Sequence, residues 1–250
     1  MDGLGFARAI GTDSLPPLLS IKLLLPMLRA IIFDCDGVIA DTEPLHFAAL
    51  QTVLAEEGIP LGKEPYYREY LALDDRGCFI KAFSDHRVAL TPGKLDELIS
   101  RKAAAVEPVM ANHLRLFPGA VDLIRQASQR FILAVASGAL RREVELVLRT
   151  AGVTDCFKAI VGAEDVARSK PHPDSFLEAL ARINAGLPNR IDPGECLVVE
   201  DSIHGIHSAH AAEMSCLAVT NSYPREKLAE AELVVASLED LPLVELESLF

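Results

Sequence analysis

No stretch of this 250-residue chain reaches the eighteen or so consecutive apolar residues that a membrane-spanning helix requires. The nearest, Leu15 to Leu28, is interrupted by Pro16, Pro17, Lys22 and Pro26, and no small-residue cleavage site follows it as it would in a signal peptide. Cysteine is sparse: Cys35, Cys78, Cys156, Cys196 and Cys216 are odd in number and no two have C-x-x-C spacing. A disulfide framework or a zinc site is therefore not expected, and free thiols in a reducing, cytoplasmic setting are. Positive charge is also short, 24 Lys and Arg against 36 Asp and Glu for a net charge of -12. A protein that grips a nucleic-acid backbone is normally basic, so no nucleic-acid partner is expected, and no membrane partner either. Internal repeats and low-complexity tracts are missing, as are G-x-G-x-x-G, G-x-x-x-x-G-K-[ST] and H-E-x-x-H.

What remains is a globular composition, 50% hydrophobic and 24% charged, long enough for a full core and a smaller second lobe. Residues 1–26 read as a loose, poorly ordered extension, and Met27 stands where the first strand begins. Arg29 to Asp34 is an apolar run closed by an acid, the signature of a buried parallel strand. A helix over Pro44 to about Glu57 follows, stopped by Gly58. Residues 60–115 lack any β-branched run and read as helices broken at Gly62, Pro65, Gly77, Pro92 and Pro108. Beyond Pro118-Gly119, strands at Phe131–Ala136, Lys158–Gly162, Cys196–Glu200, Cys216–Thr220 and Leu233–Val235 alternate with amphipathic helices. This pattern predicts an α/β fold: a doubly wound, mainly parallel, Rossmann-like core over 27–44 and 116–250, with an all-helical cap inserted over 45–115.

Ligands of an open parallel sheet bind beyond the carboxyl ends of its strands. The first strand runs into Asp34-Cys35-Asp36-Gly37-Val38, the second into Ser137-Gly138, a later loop carries Lys170-Pro171, and a fourth strand ends in Glu200-Asp201-Ser202. Four carboxylates at one rim repel one another unless a cation joins them, and hard oxygen donors suit Mg2+. A phosphate dianion would add to that charge, which a divalent cation together with Lys170 would offset. Where a strand ends, residues i and i+2 point to one side. One of Asp34 and Asp36 can then attack phosphorus while the other protonates the leaving oxygen and later takes a proton from water. Gly37 permits a sharp turn that frees the Asp36 carbonyl for a metal, and the Ser137 hydroxyl and Gly138 amide can hold phosphoryl oxygens.

The segment Asp34 to Glu43 (DCDGVIADTE), with Ser137, Lys170-Pro171 and Glu200-Asp201-Ser202, resembles the four ordered motifs of the haloacid dehalogenase-like superfamily. It is similar in particular to the beta-phosphoglucomutase and phosphoglycolate phosphatase-like branch, over about Leu28 to Val235. The resemblance implies Asp34 as nucleophile, Asp36 as general acid and base, and Mg2+ held by Asp34, the Asp36 carbonyl and Asp201, with Glu200 a ligand directly or through water. Family members that cleave carbon–halogen bonds lack the second aspartate, so Asp36 argues for phosphoryl transfer. The implied activity is a phosphatase acting on a small phosphorylated metabolite, such as a sugar phosphate or phosphoglycolate, as a monomer or weak homo-oligomer. A sugar-phosphate mutase shares the first half-reaction, and a non-catalytic binding protein on the same fold is a third reading. One departure from the pattern is Glu213, where relatives place a helix-ending glycine.

Further candidates carry two readings each. Thr42 and His46 either face the substrate at the cap hinge or merely cap and pack a helix. Arg76, in Asp74-Asp75-Arg76-Gly77, and Lys102 either meet a second phosphate or carboxylate of the substrate or serve as salt-bridge partners. His204, His207 and His210 fan too widely around a helix to hold one metal ion and read as packing or surface residues.

Overall fold

The computed structural model describes residues 27–250 apart from residue 72, so the expected extension over 1–26 lies outside the described residues. In chain order the elements are β1 (Ala30–Phe33), α1 (Glu43–Glu56), α2 (Lys63–Glu69), α3 (Asp75–Asp85), α4 (Pro92–His113), α5 (Ala120–Ala127), β2 (Ile132–Ala136) and α6 (Arg141–Ala151). Then come β3 (Phe157–Val161), α7 (Asp174–Asn184), β4 (Cys196–Glu200), α8 (Ile203–Ala211), β5 (Ser215–Val219), β6 (Leu233–Val235) and α9 (Leu243–Glu247).

Every residue of β1 is buried, because this strand lies inside a six-stranded sheet of order β3-β2-β1-β4-β5-β6. All pairings are parallel, with Phe33 opposite both Val135 and Val199. Successive strand side chains point to opposite faces. Ile31 and Phe33 therefore join Val135 and Val199 against Leu123 of α5 and Val144 and Leu148 of α6. Ala30 and Ile32 join Ala134 and Val198 against Phe176 of α7 and Ile206 of α8. The strand order reverses at β1, which opens a crevice between the β1, β2 and β4 carboxyl ends. The sheet and both helix layers are those expected from the alternating pattern.

Helices α1 to α4 build a separate apolar cluster from residues such as Leu50, Leu54, Phe79, Phe83 and Leu98. The expected breaks within this segment need correction. Pro65 sits in the first turn of α2, where its missing N–H has no intrahelical partner to lose. Gly77 does not end a helix, since the Asp74 side chain caps α3 by accepting from the Gly77 N–H at 2.7 Å. Helix α4 runs through Pro108 at the cost of one backbone hydrogen bond, because Val106 and Met110 on either side are buried in the main core. Glu213 takes the left-handed backbone (φ +59°) that a terminal glycine would adopt, so the α8 terminus keeps its form despite the departure. All five cysteines are free thiols, four of them buried.

The end of β3 is tied to two helices by Asp165. One of its oxygens accepts from Arg141 at 2.5 Å and the Gly162 N–H at 2.8 Å, and the other accepts from Arg182 at 3.0 Å. Although partial burial pushes its carboxyl up, these donors bring it from 3.8 down to about 2. A depressed carboxylate pKa contributes stability that is present above the unfolded value and lost as pH falls through the folded one. Asp165→Asn should therefore cost about 2 kcal/mol at neutral pH, with the gap to wild type roughly halved near pH 3. Urea midpoints at several pH values check this, and a pH-independent gap would contradict it.

Candidate active site

Asp34 is the first residue beyond β1, and its N–H donates to the Val199 carbonyl at 2.9 Å, so its backbone is fixed to β4. Its carboxylate accepts from Lys170 Nζ at 2.5 Å. The same ammonium donates to Glu200 Oε1 at 2.7 Å and to the Ala136 carbonyl at 3.2 Å, which uses its three protons. It also lies 4.8 Å from the centre of the buried Phe176 ring. The ends of β1, β2 and β4 thus meet on one buried cation. Burial alone would lower the Lys170 pKa, but Asp34 and Glu200 outweigh it and keep the ammonium charged.

The four carboxylates do not share one environment. Burial pushes Asp34 up to about 8; Lys170 opposes this, while Glu200 and Asp36 add to it. Asp201 is likewise pushed well above the usual carboxylate range by burial and by the charges of Glu200 and Asp34. Glu200 goes the other way: against burial, Lys170 and the donors of Asp201 and Ser202 hold it ionised. Its second oxygen accepts from the Asp201 and Ser202 N–H groups and from the Ser202 hydroxyl, each at 2.9 Å. Asp36 is also lowered, to about 2, since the donors around it overcome its burial. Thr42 Oγ1 donates to it at 2.5 Å and Ser137 Oγ at 3.1 Å, while His46 Nε2 stands 3.6 Å away at ion-pair distance.

These groups line a cavity of about 150 Å³ roofed by the cap helices, into which Asp34, Asp36, Gly37, Ser137, Gly138, Lys170, Glu200 and Asp201 all open. His46 and Lys102 line it from the cap side. Thr42 does not: it sits at the start of α1 without capping it, fully buried, its hydroxyl spent on Asp36. Of the two readings of Arg76, the structure shows the salt bridge and not a substrate contact. It lies in the first turn of α3 on the side turned to Asp96, pairs with that residue at 3.0 Å and remains half exposed, outside the cavity. Lys102 is 2% exposed, pairs with Asp75 at 2.6 Å and lies 2.5 Å from His46 Nδ1. Of the three histidines on α8, His207 and His210 face Glu230 and Glu232, whereas His204 lines the cavity.

Several contributors escaped the sequence reading. Ser222 donates to Asp201, and Asn221 donates to the Gly37 carbonyl at 2.7 Å. Both follow β5, so the strand-end rule could have found them. Gly37 has φ +80°, and a Cβ there would lie 1.8 Å from Asp201 Oδ2, so both its backbone and the closeness of Asp201 demand glycine. Gly205 makes the same allowance for Glu200, whose carboxyl carbon would lie 1.8 Å from a Cβ. Glu143 on α6 is buried with neither oxygen hydrogen-bonded, its pKa raised by that burial against the charges of Lys102 and His46. No three His, Cys, Asp or Glu side chains among the described residues form a metal cage by themselves. Two crowded carboxylates, Asp34 and Asp201, next to a turn with a main-chain oxygen, do offer the sparse hard-oxygen set that Mg2+ accepts while keeping its waters.

A haloacid dehalogenase-like hydrolase family model matches residues 31–219. Validoxylamine A 7'-phosphate phosphatase of Streptomyces hygroscopicus subsp. limoneus is 27% identical, over 86% of this chain and 96% of that protein. Beta-phosphoglucomutase of Bacillus subtilis is 30% identical, over 86% of this chain and 92% of that protein. The crystal structure of CbbY from Rhodobacter sphaeroides in complex with phosphate superposes with a TM-score of 0.75 at 27% identity, covering 86% of this chain and 96% of that one.

Gly205→Ala should push the Glu200 carboxylate off Lys170 and destabilise the fold by about 1–3 kcal/mol. Gly93→Ala, in the first turn of α4 with nothing within 4 Å of the added methyl, should be neutral or slightly stabilising. Thermal melts of the pair test the argument. Equal behaviour of the two variants would show that Glu200 has room to move.

Proposed function

The chain belongs to the haloacid dehalogenase-like hydrolase family, and from that premise we propose that it is a Mg2+-dependent phosphatase of small phosphorylated metabolites, working through an aspartyl-phosphate on Asp34. The observation that carries this reading is the pairing of Asp34 with Lys170 at 2.5 Å while Asp36, two residues on, is held separately by Thr42 and Ser137. One carboxylate is charge-compensated by the lysine, and its neighbour is positioned by a separate set of donors for the proton transfers.

The phosphoryl group enters against the Ser137 hydroxyl and the Gly138 end of the β2 loop, with Lys170 supplying positive charge from the core side. An oxygen of Asp34 attacks phosphorus, and the bond from phosphorus to the ester oxygen breaks. Asp36 in its protonated form gives that oxygen its proton, and the alcohol leaves. Water then attacks the phosphorus of the acyl phosphate, Asp36 takes its proton, and the bond from phosphorus to Asp34 breaks. Inorganic phosphate departs and the Asp34 carboxylate is restored. At rest Asp36 is ionised, the form from which the second step starts, whereas the first needs the proton in place beforehand.

Asp34, Asp201 and the Asp36 main-chain carbonyl would hold Mg2+. Burial first, and then the neighbouring carboxylates, raise the pKa of both, so a further cation beside Lys170 would favour their ionised forms. When bound, the ion neutralises the carboxylates and the phosphoryl oxygens together. Glu200, with both oxygens engaged by protein donors, keeps Lys170 in place and would serve the ion directly or through a water. Relatives that are phosphatases support hydrolysis, and the beta-phosphoglucomutase among them keeps open transfer to a sugar hydroxyl. A binding-only role is disfavoured because Asp34, Asp36, Ser137, Lys170 and Asp201 all line one cavity. The described helices include none long and apolar enough to cross a membrane, and a cytoplasmic setting fits the free thiols.

Asp34→Asn should lower phosphate release by roughly a thousandfold or more while the circular dichroism spectrum and melting temperature stay near wild type. Asp36→Asn should let a phosphoenzyme accumulate, visible by intact mass. EDTA should abolish turnover and added Mg2+ restore it. Near-normal turnover by the Asp34 variant would remove the mechanism.

A further inference from the structure

The cavity wall opposite Lys170 has the wrong charge for a second anion. Seven carboxylates line the cavity, those of Asp34, Asp36, Glu43, Asp74, Asp75, Glu200 and Asp201, and its lysines are Lys170 and Lys102. Lys170 belongs to the reacting end. Lys102 is the one cap lysine among the described lining residues, and its charge is already matched by Asp75 at 2.6 Å. It is only 2% exposed, and the buried, unbonded Glu143 acts on it as a further negative charge. Arg76, the other candidate anchor, is turned out to Asp96.

Beside the lysine the cap wall carries His46, which is turned to Asp36 at 3.6 Å, and the Tyr66 hydroxyl, which is spent on Glu43; the remainder is hydrogen-bond acceptors and apolar surface. Glu43 accepts from Tyr66 at 2.5 Å but keeps a second oxygen. Asp74 accepts from the Gly77 N–H with one oxygen and from Ser169 with the other, each oxygen keeping acceptor capacity. Leu50, Leu71, Leu73 and Cys78 supply the apolar surface on the cap side. A carboxylate or second phosphate placed here would meet like charge in a confined site, which costs affinity steeply. Hydroxyl or ammonium groups would find acceptors.

We propose that the cap selects monophosphates whose leaving group is rich in hydrogen-bond donors and carries no anion: a neutral or amino-bearing polyol, in preference to bisphosphates and to phosphorylated acids such as phosphoglycolate. The inference rests on the phosphatase reading above and narrows its substrate class. It also disfavours the mutase alternative, whose bisphosphate intermediate would have to place a second phosphoryl group against this wall.

A set of hexose-derived phosphates with and without a second anion tests it: glucose 6-phosphate, glucosamine 6-phosphate, 6-phosphogluconate and glucose 1,6-bisphosphate, assayed for phosphate release by wild-type protein with Mg2+. The first two should exceed the last two in kcat/KM by about tenfold or more, mainly through KM. Asp75→Asn, which removes one negative charge from this wall and the carboxylate that saturates Lys102, should narrow the kcat/KM gap between glucose 6-phosphate and 6-phosphogluconate several-fold, whatever its effect on turnover of either alone. Equal or better use of the anionic pair by wild type would overturn the inference with the phosphatase intact. Release from none of the four, nor from a wider set of phosphomonoesters, would instead overturn the phosphatase reading.

Discussion

A single buried ammonium organises the site. Lys170 arrives from the loop before α7 and donates to groups at the carboxyl ends of β1, β2 and β4: Asp34, the Ala136 carbonyl and Glu200. A buried charge left without partners costs several kcal/mol, and the same holds for each carboxylate it serves. The three strand ends and the lysine are therefore mutually dependent. Only the parallel order β2-β1-β4 brings these acceptors within reach of one cation. The sheet register, the Phe176 ring under the ammonium and the N–H groups that hold Glu200 all serve this one arrangement.

Around that cation the protein gives neighbouring carboxylates opposite tendencies. Asp34 and Asp201 are desolvated and close to like charge, so each resists ionisation until a further positive charge joins them. Asp36, one residue from Gly37, faces Thr42, Ser137 and His46 and ionises readily. Titratable groups driven apart in this way mark a division of chemical labour. The packing that produces it leaves no room for side chains at Gly37 and Gly205, where any Cβ would occupy the space of the Asp201 or Glu200 carboxylate.

The core of this arrangement was legible because each group sits at a strand end, where an apolar run stops and a polar residue must face the crevice. Asp34, Ser137, Glu200 and Asp201 all obey that rule, and Asn221 and Ser222 after β5 obey it too, though they were not read that way. The cap was less legible, since helix periodicity says which face is buried but not against what. Arg76 and Asp75 are adjacent on α3, yet one turns to solvent and the other to Lys102. Proline and glycine also misled within the cap. Tertiary burial of Val106 and Met110 carries α4 across Pro108, and the Asp74 cap absorbs Gly77 into α3. Thr42 shows the same limit at the hinge, where a hydroxyl placed to cap α1 is instead drawn to Asp36 by a stronger charge-assisted hydrogen bond.

The two halves of the cavity follow from different constraints. At the core rim, every acid is set against Lys170, a backbone N–H or a hydroxyl, an arrangement that tolerates one more cation and one anion together. On the cap wall, the deeply buried Lys102 is held charged by Asp75 above all, with Glu143 and Asp36 adding to it, and Asp75 cannot serve both Lys102 and a ligand at full strength. A cap lysine free to meet a substrate anion would have to be more exposed or lack its aspartate. Because α1 supplies His46 to the reacting end and α4 supplies Lys102 to His46, the cap wall cannot exchange its lysine for an anion anchor without disturbing the group that faces Asp36. The charge character of the specificity wall is thus bound to the positioning of the carboxylate proposed to carry the proton, through a chain of three side chains.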